Sequence, residues 1–166
     1  MVPKLKEFIE EHIDLIEEKR WSALYSYAQA EIPFQVGNLS YNLIKAGVNP
    51  LEDLNRILPE MFADSMIDEL FIPENITRIQ RQAFQSCYFL TKITLPSSII
   101  NIDVTAFKGC YELDKIIYEG TATDFIEKIK PITDIFWDCK TGRINCSDAD
   151  IVIDFDGTVS VEEKLL

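Results

Sequence analysis

Histidine is nearly absent from this chain, which has only His12, and its four cysteines include no closely spaced pair. Neither a zinc site nor a Cys–His catalytic pair has its usual spacing, so the thiols are expected to be reduced and buried. No apolar run reaches the length of about 18 residues that a membrane span needs. Acids interrupt the opening stretch MVPKLKEFIEEHIDLIEEKRW throughout, so neither a secretion signal nor an anchor is expected, and the expected location is the cytoplasm. Basic residues are scarce too: 16 Lys and Arg face 28 Asp and Glu, a net charge of -12. Acids exceed bases in both halves. This disfavours direct nucleic-acid binding and suggests either a basic partner or simple solubility.

The 166 residues are 47% apolar, enough for one real core divided at most between two small modules. Residues 4 to 18 set Leu5, Phe8, Ile9, Ile13 and Ile16 on one stripe, as an amphipathic helix requires. His12 borders that stripe, without a catalytic or metal-binding companion nearby in sequence. A second helical stretch carries Trp21, Leu24, Tyr25 and Ala28, and a third, after Pro33, uses Leu39, Leu43 and Ile44 until Gly47 stops it. Asn49-Pro50-Leu51-Glu52 combines a capping residue, a proline at the first helical position and a glutamate able to reach back. A helix with Leu51, Leu54 and Leu58 on its buried face is predicted from there to Pro59.

The second half repeats. Residues 70–92 placed over 93–115 give nine identities in 23 positions, where unrelated sequence gives about one or two. The matches are Pro73/Pro96, Ile76/Ile99, Ile79/Ile102, Ala83/Ala106, Phe84/Phe107, Cys87/Cys110, Tyr88/Tyr111, Leu90/Leu113 and Lys92/Lys115. A third unit begins as Ile116-Ile117-Tyr118 and diverges, as a capping copy does.

IPENITRIQRQAFQSCYFLTKI and LPSSIINIDVTAFKGCYELDKI resemble the BspA-type leucine-rich repeat. YEGTATDF resembles the helical ending of such arrays, with Phe125 where the family often has Trp, and Trp137 and INCSD look like its closing strand. AGVNPLEDLNRILPEMF resembles a leader that precedes these repeats in small proteins of Firmicutes and their phages. The resemblance implies an α+β chain: a helical domain over residues 1–68, then a short leucine-rich-repeat solenoid with a β-hairpin-like C-terminal cap over 69–166.

Alternation along the strands turns Leu70, Ile72, Ile93, Leu95, Ile116 and Tyr118 inward. Glu69 and Phe71, Lys92 and Thr94, Lys115 and Ile117 then form two outward columns. Phe71 and Ile117 are the informative members, because an apolar side chain on an open sheet has no core of its own. Either they meet a partner or the helical domain or C-terminal tail covers them. Cys87 and Cys110 should lie one above the other as buried thiols.

IVIDFDGTVS resembles the first motif of haloacid-dehalogenase-type phosphatases, which would make Asp154 the nucleophile and Asp156 the acid-base group. That chemistry needs further residues downstream, and only residues 158–166 follow Gly157, so the site is not expected to assemble in family order. The competing reading is a closing hairpin turning at Asp156-Gly157, with Ile151, Ile153 and Phe155 on one strand and Val159 and Val161 on the other. A plain two-residue turn would put the two apolar sets on different faces, and a bulge would restore the register. The acids Asp148, Asp150, Asp154 and Asp156 stand in a stretch, 144–163, without a base. They lack the spacing and turn glycine of a calcium loop, so no metal or other cofactor is expected.

Two binding functions fit. One is a non-enzymatic adaptor that holds a protein through the open sheet and its flanking helices, with Phe71, Lys92, Thr94, Lys115 and Ile117 as first contacts. The other is a phage-type inhibitor of a host nucleic-acid enzyme, such as an anti-CRISPR protein, acting in the host cytoplasm. That inhibitor would present Asp148, Asp150, Asp154 and Asp156 to a basic nucleic-acid-binding protein. Both exclude membrane contact.

Overall fold

The computed structural model describes residues 3–165, a mixed α and β chain. Four helices come first: Pro3–Glu11 (α1), Ile13–Glu17 (α2), Trp21–Glu31 (α3) and Val36–Lys45 (α4). The continuous helix predicted over residues 4–18 is broken at His12, whose backbone leaves helical geometry (φ -114°, ψ 23°). Its ring turns back to the Phe8 carbonyl at 2.9 Å, which also accepts from the His12 amide at 3.1 Å. Leu5 and Phe8 reach the core, whereas Ile13 is exposed and Ile16 half-buried.

The predicted helix from Pro50 to Leu58 is also corrected. Asn49 does cap, its Oδ1 accepting from the Leu51 amide at 3.0 Å. The turn it starts is a short 3-10 helix, Pro50–Asp53, and the chain then extends as Arg56–Ile57 (β1). Local signals cannot tell a 3-10 turn from a first α-turn, and here parallel pairing of Ile57 with Ile79 wins.

The remaining elements are Glu69–Phe71 (β2), Arg78–Ile79 (β3), Lys92–Leu95 (β4), Asn101–Ile102 (β5), Lys115–Tyr118 (β6), Ala122–Lys128 (α5), Ile132–Ile135 (α6), Arg143–Asn145 (β7), Ala149–Ile153 (β8) and Val159–Glu163 (β9). They form a three-stranded sheet, β1-β3-β5, and a six-stranded one, β2-β4-β6-β7-β8-β9. Each repeat lies on the one before: Leu70 pairs with Ile93 and Ile93 with Ile116, each 23 residues on. All three are buried.

Between the two sheets, Phe62, Phe84, Phe107 and Phe136 stack in one column, with ring centroids 5.2, 5.2 and 5.4 Å apart. Cys87 donates to the Phe62 carbonyl (2.9 Å) and Cys110 to the Phe84 carbonyl (3.0 Å), so each thiol bonds the turn one unit back. Asp64, Ser86 and Gly109 take left-handed backbone at matching points of successive turns. Residues 49–68 therefore already trace a turn of the repeat.

The helices close the N-terminal end of this array, and one continuous core runs through both parts. Trp21 Nε1 donates to Asp53 (3.1 Å), Gln29 donates to the Pro59 carbonyl (2.8 Å), and buried Ser40 links the Tyr25 hydroxyl to the Met61 carbonyl. At the other end β7 joins in parallel, Ile116 to Ile144, after an excursion through α5 and α6. Thr121 caps α5 through the Asp124 amide, and Phe125 is buried beneath it.

β8 and β9 then form the closing hairpin. Ile151 pairs with Val161 and Ile153 with Val159, so the apolar sets do share a face. The expected bulge supplies the register. Gly157 sits at φ 83°, its amide bonds the Asp154 carbonyl (2.9 Å), and the Asp154 amide bonds the Thr158 carbonyl (2.9 Å). Phe155, expected on the strand with Ile151 and Ile153, lies instead in the turn and is fully exposed, because β8 ends at Ile153 and the bulged turn takes up residues 155–157.

Candidate functional site

Strand register decides which side chains meet on the outward face of the large sheet. Phe71 pairs with Thr94, Thr94 with Ile117, Ile117 with Asn145, Asn145 with Asp150 and Asp150 with Glu162. One row thus crosses all six strands, apolar at one end and acidic at the other. Beside it runs Glu69, Lys92 and Lys115, and on β7, β8 and β9 the neighbouring row is Arg143, Val152 and Ser160. The face alternates in sign, with Lys92 near Glu69 (3.9 Å) and Arg143 gripping both Asp150 (3.0 Å) and Glu162 (2.8 Å).

Of the residues picked from sequence, Phe71, Lys92, Thr94, Lys115, Ile117 and Asp150 share this face. Phe71 is 58% exposed, so the helices do not cover it. Ile117 is half-buried in a groove of about 960 Å³ that it lines with Lys115, Tyr118, Asn145, Asp150 and the tail residues Lys164 and Leu165. Lys164 is anchored there by the Cys146 carbonyl. Burial alone would push the Asp150 carboxyl up, but the Asn145 amide and the Arg143 guanidinium outweigh it and hold it below the usual carboxylate range.

The other acids lie elsewhere. Asp148 accepts from the Ala122 amide (2.8 Å) and so holds the first turn of α5. Asp154 opens the hairpin turn, and Asp156 accepts from the Thr158 amide (2.9 Å) within it. Asp154 also borders a second concavity of about 510 Å³, with Lys140, Thr141, exposed Trp137 and Phe155. Sequence reasoning missed Asn145, Arg143 and Lys164. Arg143 and Lys164 stand just outside the base-free stretch 144–163, and Asn145 reaches the row only because β7 pairs across the long excursion.

Parallel repeat units whose side chains alternate between a shared core and one open face define a repeat protein. The chain belongs to the BspA-type leucine-rich-repeat family: the family model described as "BspA type Leucine rich repeat region (6 copies)" matches residues 40–142. No curated protein matches. A solved structure, described as a leucine rich cell surface protein from Faecalibacterium prausnitzii A2-165, is similar to 45% of this chain at 32% identity, with a TM-score of 0.44. The chain spans 20% of that protein. Among the described residues, no helix is long and apolar enough to cross a membrane.

Proposed function

We propose that this chain is a non-enzymatic interaction protein that binds a protein partner through the outward face of its large sheet. In this reading the repeats form a short solenoid closed by the helical domain, residues 1–68, whose last turn already has repeat form. The observation that carries it is the row from Phe71 through Thr94 and Ile117 to Asn145 and Asp150, flanked by Lys92 and Lys115. An exposed phenylalanine and a groove-lining isoleucine inside a rim of both charge signs match the mixed core and rim of protein interfaces. Asp148 and Asp156 serve local turns and Asp150 is paired with Arg143. That leaves less free carboxylate for imitating a nucleic-acid backbone than the sequence suggests.

Capture from bacterial lysate at two salt concentrations, with and without added DNA, tests the reading. A partner retained at both concentrations, indifferent to DNA and lost with Phe71→Ser and Ile117→Ser, is the expected result. Retention that collapses with salt and competes with DNA points instead to an acidic inhibitor.

A further inference from the structure

Away from the sheet, among the described residues, one group of metal-ligating side chains converges: a ligand atom from each of Glu11, His12 and Glu31 lies within 4.8 Å of the other two. Glu11 ends α1, His12 is the break before α2, and Glu31 ends α3. The adjacent pair Glu11-His12 does not announce the group by itself, because α3 must fold back to deliver Glu31 from 19 residues away.

The histidine is prepared for one role. Its Nδ1 lies 2.9 Å from the Phe8 carbonyl, which can only accept, so Nδ1 carries a proton, and a ring holding no second proton presents its lone pair at Nε2. Nε2 faces Glu31 Oε1 at 3.7 Å, longer than a hydrogen bond. The ring stacks on Phe8 (4.2 Å between centroids) and leans on Tyr27 (5.2 Å). Its side chain is only 14% exposed, so its orientation is fixed, whereas the Glu31 side chain is 44% exposed and free to adjust.

We propose that Glu11, His12 and Glu31 form a binding site for a divalent first-row transition ion, with zinc as its representative, held by His12 Nε2 and one oxygen of each carboxylate. Tetrahedral zinc at its usual bond lengths needs donor atoms about 3.3 Å apart. The ligand atoms now lie within 4.8 Å of one another, and both glutamates are exposed, so the side chains rather than the backbone are the part left free to close that gap. The imidazole favours zinc or nickel over magnesium and calcium, and two carboxylates cancel the ionic charge. An ion there ties the end of α1 to the end of α3, in the helices that close the array.

Zinc titration of the untagged, metal-stripped full chain, with melting curves and cobalt substitution, tests this. One equivalent of zinc should bind and raise the melting temperature, magnesium should do neither, and cobalt should show no thiolate charge-transfer band. Glu31→Gln and His12→Gln should each lower zinc affinity by about tenfold or more. The glutamate is exposed enough for its variant to fold even if the histidine variant does not. Absence of saturable zinc binding, undiminished affinity in the folded variants, or a cobalt–thiolate band would overturn the proposal.

Discussion

Gly37 of α4 stands against the backbone of Ala63 so closely that a Cβ at position 37 would lie 1.9 Å from the Ala63 carbonyl oxygen. The obstacle is main chain of the first repeat turn and cannot rotate away. Gly37→Ala in a free helix would stabilise by about 1 kcal/mol. Here the methyl group must wedge α4 off the array, and the expected outcome is a loss of about 1 to 3 kcal/mol in a denaturant melt. A neutral or stabilising result would mean that the helices do not seat on the repeats this way.

The thiol ladder makes a chemical prediction. Cys87 and Cys110 are fully buried, and contact with Cys110 together with burial pushes the Cys87 thiol well above its ordinary range. Burial and nearby acids push Cys146 up to about 12, and only Cys139 is partly exposed. Burial pushes the Cys139 thiol up too, so access rather than acidity singles it out: a thiol reagent should modify Cys139 first, and reach Cys87 and Cys110 only on denaturation. Fast labelling of both in the folded protein would contradict the ladder.

The phosphatase-like motif gives a third. Asp154 and Asp156 lie in an exposed turn, where neither carboxylate is shielded from water and Asp156 is engaged with the Thr158 amide. Lys140 and Thr141 border the same concavity as Asp154. With magnesium, the protein should not hydrolyse an aryl phosphate. Turnover abolished by Asp154→Asn would make the chain an enzyme.

Much of this molecule was legible because repeat identities fall where stacking leaves one choice. Phe84 and Phe107 recur because each ring must lie on the next, parallel to within 2°, and Leu70, Ile93 and Ile116 recur because each is an inward strand position. The first turn is not legible as a repeat because Ser65 occupies the place of the repeated cysteine and Asn49-Pro50 reads as a helix start in any context. The break at His12 is a local change of backbone angles that the apolar periodicity does not encode. The outward columns were readable as far as β6. Beyond it, α5 and α6 change the spacing, so Asn145, Asp150 and Glu162 enter the row through pairings that no fixed repeat length predicts.

That row is where the interaction reading commits itself. Phe71 and Ile117 stand two strands apart with Thr94 between them, on the side of the sheet away from the core. Phe71 is mostly in water, so its change to serine gives up little native packing. Ile117 is half-buried against the tail and should cost somewhat more. The double variant Phe71→Ser with Ile117→Ser is expected to lower the thermal midpoint only slightly while weakening partner capture by about tenfold or more. Leu95 is fully buried, and Leu95→Ala should do the reverse, costing about 2 to 5 kcal/mol of stability. If the outward variant melts as early as the core variant, the face is part of the protein's own packing. The partner must then be sought at the exposed Trp137 and Phe155 beside the hairpin turn.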